Sequence, residues 1–111
     1  MKLRMEENDI CFRLSPQEIK KLIEYKDSCI ESRTTFTNVA FLVYRIKLHQ
    51  NDIPARLTYN SKTLELSLSR KAVEKHYVVL PKKEGIKNII SLENGENISV
   101  TLEVDVRRHL I

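Results

Sequence analysis

Glycine and proline are scarce in this sequence, two and three residues among 111. With no stretch of biased composition either, Gly- or Pro-rich linkers and low-complexity disorder are excluded, and the whole chain is expected to fold. Tryptophan is absent and only seven residues are Phe or Tyr, which leaves little for stacking nucleic-acid bases. No apolar run approaches the ~20 residues that a membrane helix requires. The opening "MKLRMEENDICFRLS" alternates charged and apolar residues and lacks the continuous apolar core of a secretory signal. A soluble cytoplasmic protein is therefore expected, with no membrane partner. Its two cysteines, Cys11 and Cys29, could pair, but without an export signal two reduced thiols are the expectation. No G-x-G-x-x-G, P-loop or G-x-S-x-G occurs, and two glycines cannot build a phosphate cradle.

What is present describes an ordinary globular protein: 41% hydrophobic and 31% charged residues, in a length that suits one domain over residues 1–111. The net charge of +4 is mild and its sources are scattered. Lys20-Lys21, Lys82-Lys83 and Arg107-Arg108-His109 are the clusters, and solvated surface accounts for them. Nucleic acid is not an expected partner. A weak nucleic-acid binder is a third functional reading, and it predicts affinity that falls steeply with salt.

The pattern of alternation repeats. Residues 2–15, "KLRMEENDICFRLS", align without a gap on residues 56–69, "RLTYNSKTLELSLS", at a shift of 56 − 2 = 54. Leu3 meets Leu57, Ile10 meets Leu64, Phe12 meets Leu66 and Leu14 meets Leu68. Each stretch is two alternating runs around turn-forming residues, the signature of a β-hairpin with one apolar face. Ser15, Pro16 and Glu18 then start a helix with a capping box, and Ile19, Leu22 and Ile23 form its apolar stripe. At the same shift the stripe becomes Val73, His76 and Tyr77 behind a cap at Ser69. Lacking the acidic capping partner, this second helix is expected to be shorter or more frayed.

Two further strand-like runs follow each helix, about residues 29–36 and 39–49 in the first half and 86–92 and 97–106 in the second. The fold class read from this is α+β: an internally duplicated ββαββ unit, with pseudo-repeats 2–50 and 56–106. Its eight strands are expected to form an antiparallel curled sheet or a barrel with two helices. A split sheet with the two halves packed face to face is the rival arrangement.

The start "MKLRMEENDICFRLSPQEI", with a basic first strand, a polar turn near Asn8, Arg13 in the next strand and a Ser cap, resembles a family of small bacterial proteins of unknown function. The similarity runs on through "ESRTTF", "LTYNSKTLELSLSRKAVE" and "VTLEVDV". The family pattern includes an acidic tail after the last strand, and no acidic run follows Val106 here. This resemblance implies no catalytic residue. More loosely, the duplicated topology is similar to that of the triphosphate-tunnel (CYTH-like) phosphohydrolases, which line a barrel with Lys, Arg and Glu. What that implies is an anion site made by Arg4, Arg13, Arg33, Arg45, Lys47 and Arg56, with Lys2 nearby. It also implies a Mg²⁺ or Mn²⁺ site made by Glu31, Glu65, Glu103 and Asp105. The E-x-E-x-K strand of those enzymes is missing.

His49, His76 and His109 lack paired ligands at zinc spacing, and His76 falls on a helical apolar stripe, where a packing role is expected. Cys11 alternates with Ile10 and Phe12, on the polar face of its strand. The leading expectation is thus a noncatalytic cytoplasmic binding or protein-interaction module that needs no cofactor. A phosphohydrolase acting on a triphosphate or polyphosphate in a charged barrel is the alternative. Residues 40–44, "AFLVY", are apolar on both strand faces, and so a homodimer is considered.

Overall fold

The computed structural model describes residues 1–25, 28–77 and 85–105. Elements follow in the order β1 (Lys2–Glu6), β2 (Asp9–Leu14), α1 (Pro16–Glu24), β3 (Cys29–Thr35) and β4 (Phe41–His49). The second part runs β5 (Arg56–Asn60), β6 (Thr63–Ser69), α2 (Arg70–Tyr77), β7 (Ile86–Ser91) and β8 (Asn97–Val104). Lys82, Lys83, Val106, Arg107, Arg108 and His109 lie outside the described residues.

The antiparallel eight-stranded sheet or barrel does not form. The strands make two four-stranded mixed sheets, in the orders β1-β2-β8-β7 and β3-β4-β6-β5. Each sheet is two antiparallel hairpins joined at its centre by a parallel pair, β2 with β8 and β4 with β6. The edge strands β1, β3, β5 and β7 put charged or hydroxyl side chains along their length, the means by which proteins discourage further strand pairing.

Pairing registers agree between the sheets. Leu3 faces Phe12 and Leu57 faces Leu66, 54 positions on. Ile30 faces Ile46 and Ile86 faces Leu102, where 86 − 30 and 102 − 46 both equal 56. The turns agree at their second residue, Asn8 and Lys62 taking φ values of 57° and 64°, but not at the first, where Ser61 is at 52° and Glu7 is not at positive φ. Ser99 donates to the Asn8 carbonyl and Val43 to the Lys62 carbonyl, each at 2.9 Å.

Alternation puts Ile10, Phe12, Leu14, Val100, Leu102 and Val104 on one face of the first sheet, and Tyr44, Ile46, Leu48, Leu64, Leu66 and Leu68 on one face of the second. These faces share one core with Ile19 and Leu22 of α1 and Val73 and Tyr77 of α2. Each fully buried large side chain contributes roughly 1.5–3 kcal/mol. Helix α1 starts as its sequence dictates, with the reciprocal Ser15–Glu18 capping box and Pro16 in the first turn. Ser69 is not a cap. It pairs with His49 as the last residue of β6, and its buried Oγ makes no hydrogen bond. The strand holds its backbone, so α2 begins directly at Arg70, whose side chain reaches back to the other helix. Nη1 donates to Ile23 O at 2.6 Å, and Nη2 donates to Tyr25 O at 3.1 Å and Leu22 O at 3.4 Å. These are the carbonyls that a helix C-terminus leaves without intrahelical partners. No helix among the described residues is long and apolar enough to cross a membrane.

Candidate functional site

The charged residues marked in the sequence lie on the two sheet faces that point away from the core, divided between the sheets rather than gathered at one site. On the first sheet, Arg4 and Arg13 share a face with Cys11 and Glu103 through the β1–β2 and β2–β8 registers. Arg13 Nε lies 3.5 Å from Glu103 Oε1. On the second sheet, Glu31, Arg45 and Glu65 are consecutive in one cross-strand row. Arg45 Nη2 lies 2.6 Å from Glu31 Oε1, and Nη1 lies 3.2 Å from Glu65 Oε1. Hydrogen bonds to both carboxylates stabilise the charged guanidinium and raise its pKa above the ordinary value. Lys47 and Arg56 are exposed in the next row, with Ser67 between them. The four carboxylates named for metal are thus divided between the sheets, Glu31 and Glu65 spent on one arginine and Glu103 beside another. Among the described residues no group of three or more His, Cys, Asp or Glu is placed to hold an ion.

Cys11 is on the expected face but is 5% exposed. Arg4 and Thr101 are its partners in register, and Glu103 is one row on. Burial first, and then the Glu103 carboxylate, push its thiol up to about 11. Cys29, on the other sheet, is exposed.

A cleft of about 380 Å³ opens at the start of α1, lined by Met1, Lys2, Arg13, Ser15, Glu18 and Asp105 among others. Its chemistry is internally balanced. Glu18 accepts from the Ser15 amide at 2.9 Å and from the Met1 ammonium at 2.9 Å, and Ser15 Oγ accepts from the Glu18 amide at 3.1 Å. Burial alone would raise the Glu18 pKa, but the Ser15 amide and the ammonium outweigh it and the carboxyl sits below its usual value. With the helix start capped by Ser15 and Glu18, and the Met1 ammonium paired with Glu18, the α1 amides offer little to an anion.

The surface with unspent chemistry is at the free end of the second sheet, where β4 and β6 begin. Residues 36–40 form a turn in which Thr37 Oγ1 accepts from Val39 N at 3.3 Å and Ala40 N at 2.8 Å, while Phe36 N donates to Ala40 O at 3.1 Å. This turn leaves Phe36 64% and Val39 81% exposed. Beside it, the Arg33 guanidinium lies 3.9 Å and the Lys62 ammonium 4.7 Å from the centre of the Phe41 ring. Lys62 is placed by the tight turn at Ser61 and Lys62, both at positive φ. Between Glu31 and Glu65 the sequence has one acidic residue, Asp52, in the connection after β4 at the opposite end of the sheet. Sequence reasoning named Arg33 and the stretch 40–44 but missed Phe36, Val39 and Lys62; the acid-free stretch was the signal that could have found them.

No curated protein and no solved structure matches this chain. A family model described as a family of unknown function (DUF7009) matches residues 1–107. A chain matched over nearly its whole length in this way belongs to that family, DUF7009.

Proposed function

We propose that this chain is a noncatalytic binding module, working in the cytoplasm and built from two copies of one ββαββ unit, that holds an acidic, partly apolar protein segment at the free end of its second sheet. The shared hairpin registers support the duplication. What carries the binding reading is the exposure of Phe36 and Val39 on a hydrogen-bonded turn beside Arg33 and Lys62, beyond the row in which Glu31 and Glu65 are both paired with Arg45. A partner's apolar side chain would bury the Phe36–Val39 surface while its carboxylates meet the two cations. A preformed turn spends little ordering entropy on binding. Single-stranded nucleic acid fits less well: two cations already lie over the Phe41 ring, and a phosphate backbone is ordinarily tracked by a longer cationic groove.

The test is a titration of a labelled peptide of glutamate and leucine, with a lysine–leucine peptide and a single-stranded oligonucleotide as competitors of opposite prediction. The acidic peptide binds, and replacing Arg33 and Lys62 by Gln weakens it by about tenfold or more, the scale of one charge-assisted hydrogen bond. Tighter binding of the oligonucleotide, or peptide binding indifferent to both substitutions, would overturn the reading.

A further inference from the structure

The corresponding end of the first sheet has the opposite charge. There the β1–β2 turn and the β7–β8 turn lie side by side, because β2 and β8 are parallel neighbours and Ser99 donates to the Asn8 carbonyl. Residues 5–9, "MEEND", and 92–96, "LENGE", place Glu6, Glu7, Asp9, Glu93 and Glu96 at this end, with no Lys or Arg in either stretch. Arg4, just behind the turn, lies 3.9 Å from Glu6 with both side chains exposed. Apolar surface is interspersed here too: Met5, opposite Ile10 in the hairpin, is 52% exposed.

Both sheet ends lie on the same side of the molecule relative to the helices. Helix α1 follows the C-terminal end of β2 and α2 follows the C-terminal end of β6, and the two helices are tied together by Arg70. The charged turns stand at the other ends of these strands. Among the described residues no ion pair joins the acidic end to the basic end.

Resting on the binding reading above, we propose that the acidic segment held by the basic end is supplied by a second copy of this chain. The acidic end of each protomer meets the basic end of the other. Because both ends project from the same side, the contact forms twice around a two-fold axis and the assembly closes as a dimer rather than growing as a filament. Carboxylates of Glu6, Glu7 and Glu93 face Arg33 and Lys62 of the opposite copy, and Met5 covers Phe36 and Val39. Complementary charge sets the register of the contact and makes it salt-sensitive.

The experiment is sedimentation of the full chain from micromolar to millimolar concentration, with charge-reversed variants. The wild type doubles in mass at low salt and returns to monomer at high salt. Arg33→Glu with Lys62→Glu abolishes the dimer, as does Glu6→Lys with Glu7→Lys, while an equimolar mixture of the two variants restores it, since each then offers what the other lacks. Circular dichroism checks folding. If a reversed variant does not fold, Arg33→Gln with Lys62→Gln carries the test, with at least a tenfold weaker dimer expected. A wild type that stays monomeric throughout overturns the proposal, as does a dimer unmoved by these substitutions. If the glutamate–leucine peptide still binds a monomeric chain through Arg33 and Lys62, only the identity of the partner is overturned. If it does not bind either, the binding reading falls as well.

Discussion

Arg70, the first residue of α2, donates through Nη1 to the carbonyl oxygen of Ile23 at 2.6 Å. One side chain thereby starts one helix and finishes the other, supplying positive charge where the α1 dipole is negative. Replacing Arg70 by Met keeps much of the packing volume but takes from the Ile23 carbonyl its donor, while the Leu22 and Tyr25 carbonyls keep Ser28 Oγ at 3.3 and 2.7 Å. A loss of about 2–3 kcal/mol is expected in urea unfolding, the scale of a buried charge-assisted hydrogen bond removed on one side. Glu74→Gln, which affects only the 3.6 Å contact to Arg70 from an exposed position, should cost less than about 0.5 kcal/mol.

Glu18 gives the fold a pH dependence whose sign is set by its lowered pKa. A carboxyl that is more acidic folded than unfolded stabilises the fold above its ordinary value of 4.5 and loses that contribution as pH falls through the folded value. Glu18→Gln retains an acceptor for Ser15 N but not the charge. It should lower stability by about 0.5–1 kcal/mol at neutral pH, and the difference from wild type should shrink as the pH is taken below 4.5. A difference independent of pH in thermal melts would contradict this.

The two thiols should differ in reactivity. Cys29 is exposed, whereas Cys11 is buried with its thiol raised to about 11. A thiol reagent at mildly alkaline pH should modify Cys29 alone in the folded protein and both cysteines in urea. Mass spectrometry of the labelled peptides reads the result directly.

Gly85 is required by close approach to β8. A Cβ there would stand 2.5 Å from the Leu102 carbonyl oxygen and 2.8 Å from Thr101 Cγ2. Gly85→Ala should cost about 1–3 kcal/mol, the range for forcing a methyl into packed surroundings. At Gly95, with φ of +87° and open space around it, the cost of Ala is backbone strain alone, about 1 kcal/mol.

The hairpins were legible in the sequence because their pairing is local. Leu3 against Phe12 follows from alternation around a short turn, and the gapless match of residues 2–15 to 56–69 repeats it. The parallel contacts that organise each sheet were not legible. Cys11 pairs with Thr101 across ninety positions (101 − 11), and no local periodicity records which distant strand lies alongside. Ser69 misled for a related reason: a Ser before a helical stripe reads as a cap, but its backbone is claimed by the distant partner His49. The charged residues were assigned to the correct strand faces, yet whether the faces met in a tunnel depended on closure, and the open sheets separate Arg13 from Arg45. The basic end was hidden because its parts, Arg33, Phe36 and Lys62, come from two hairpins.

The basic end of the second sheet is proposed above as a binding surface. Backbone amide spectra recorded while the glutamate–leucine peptide is added test it most directly. Shifts concentrated in residues 33–43 and 59–63, and lost in the Arg33→Gln, Lys62→Gln variant, are the predicted result. Shifts centred instead on the cleft beside Ser15 and Glu18, or a spectrum that does not move, would contradict it.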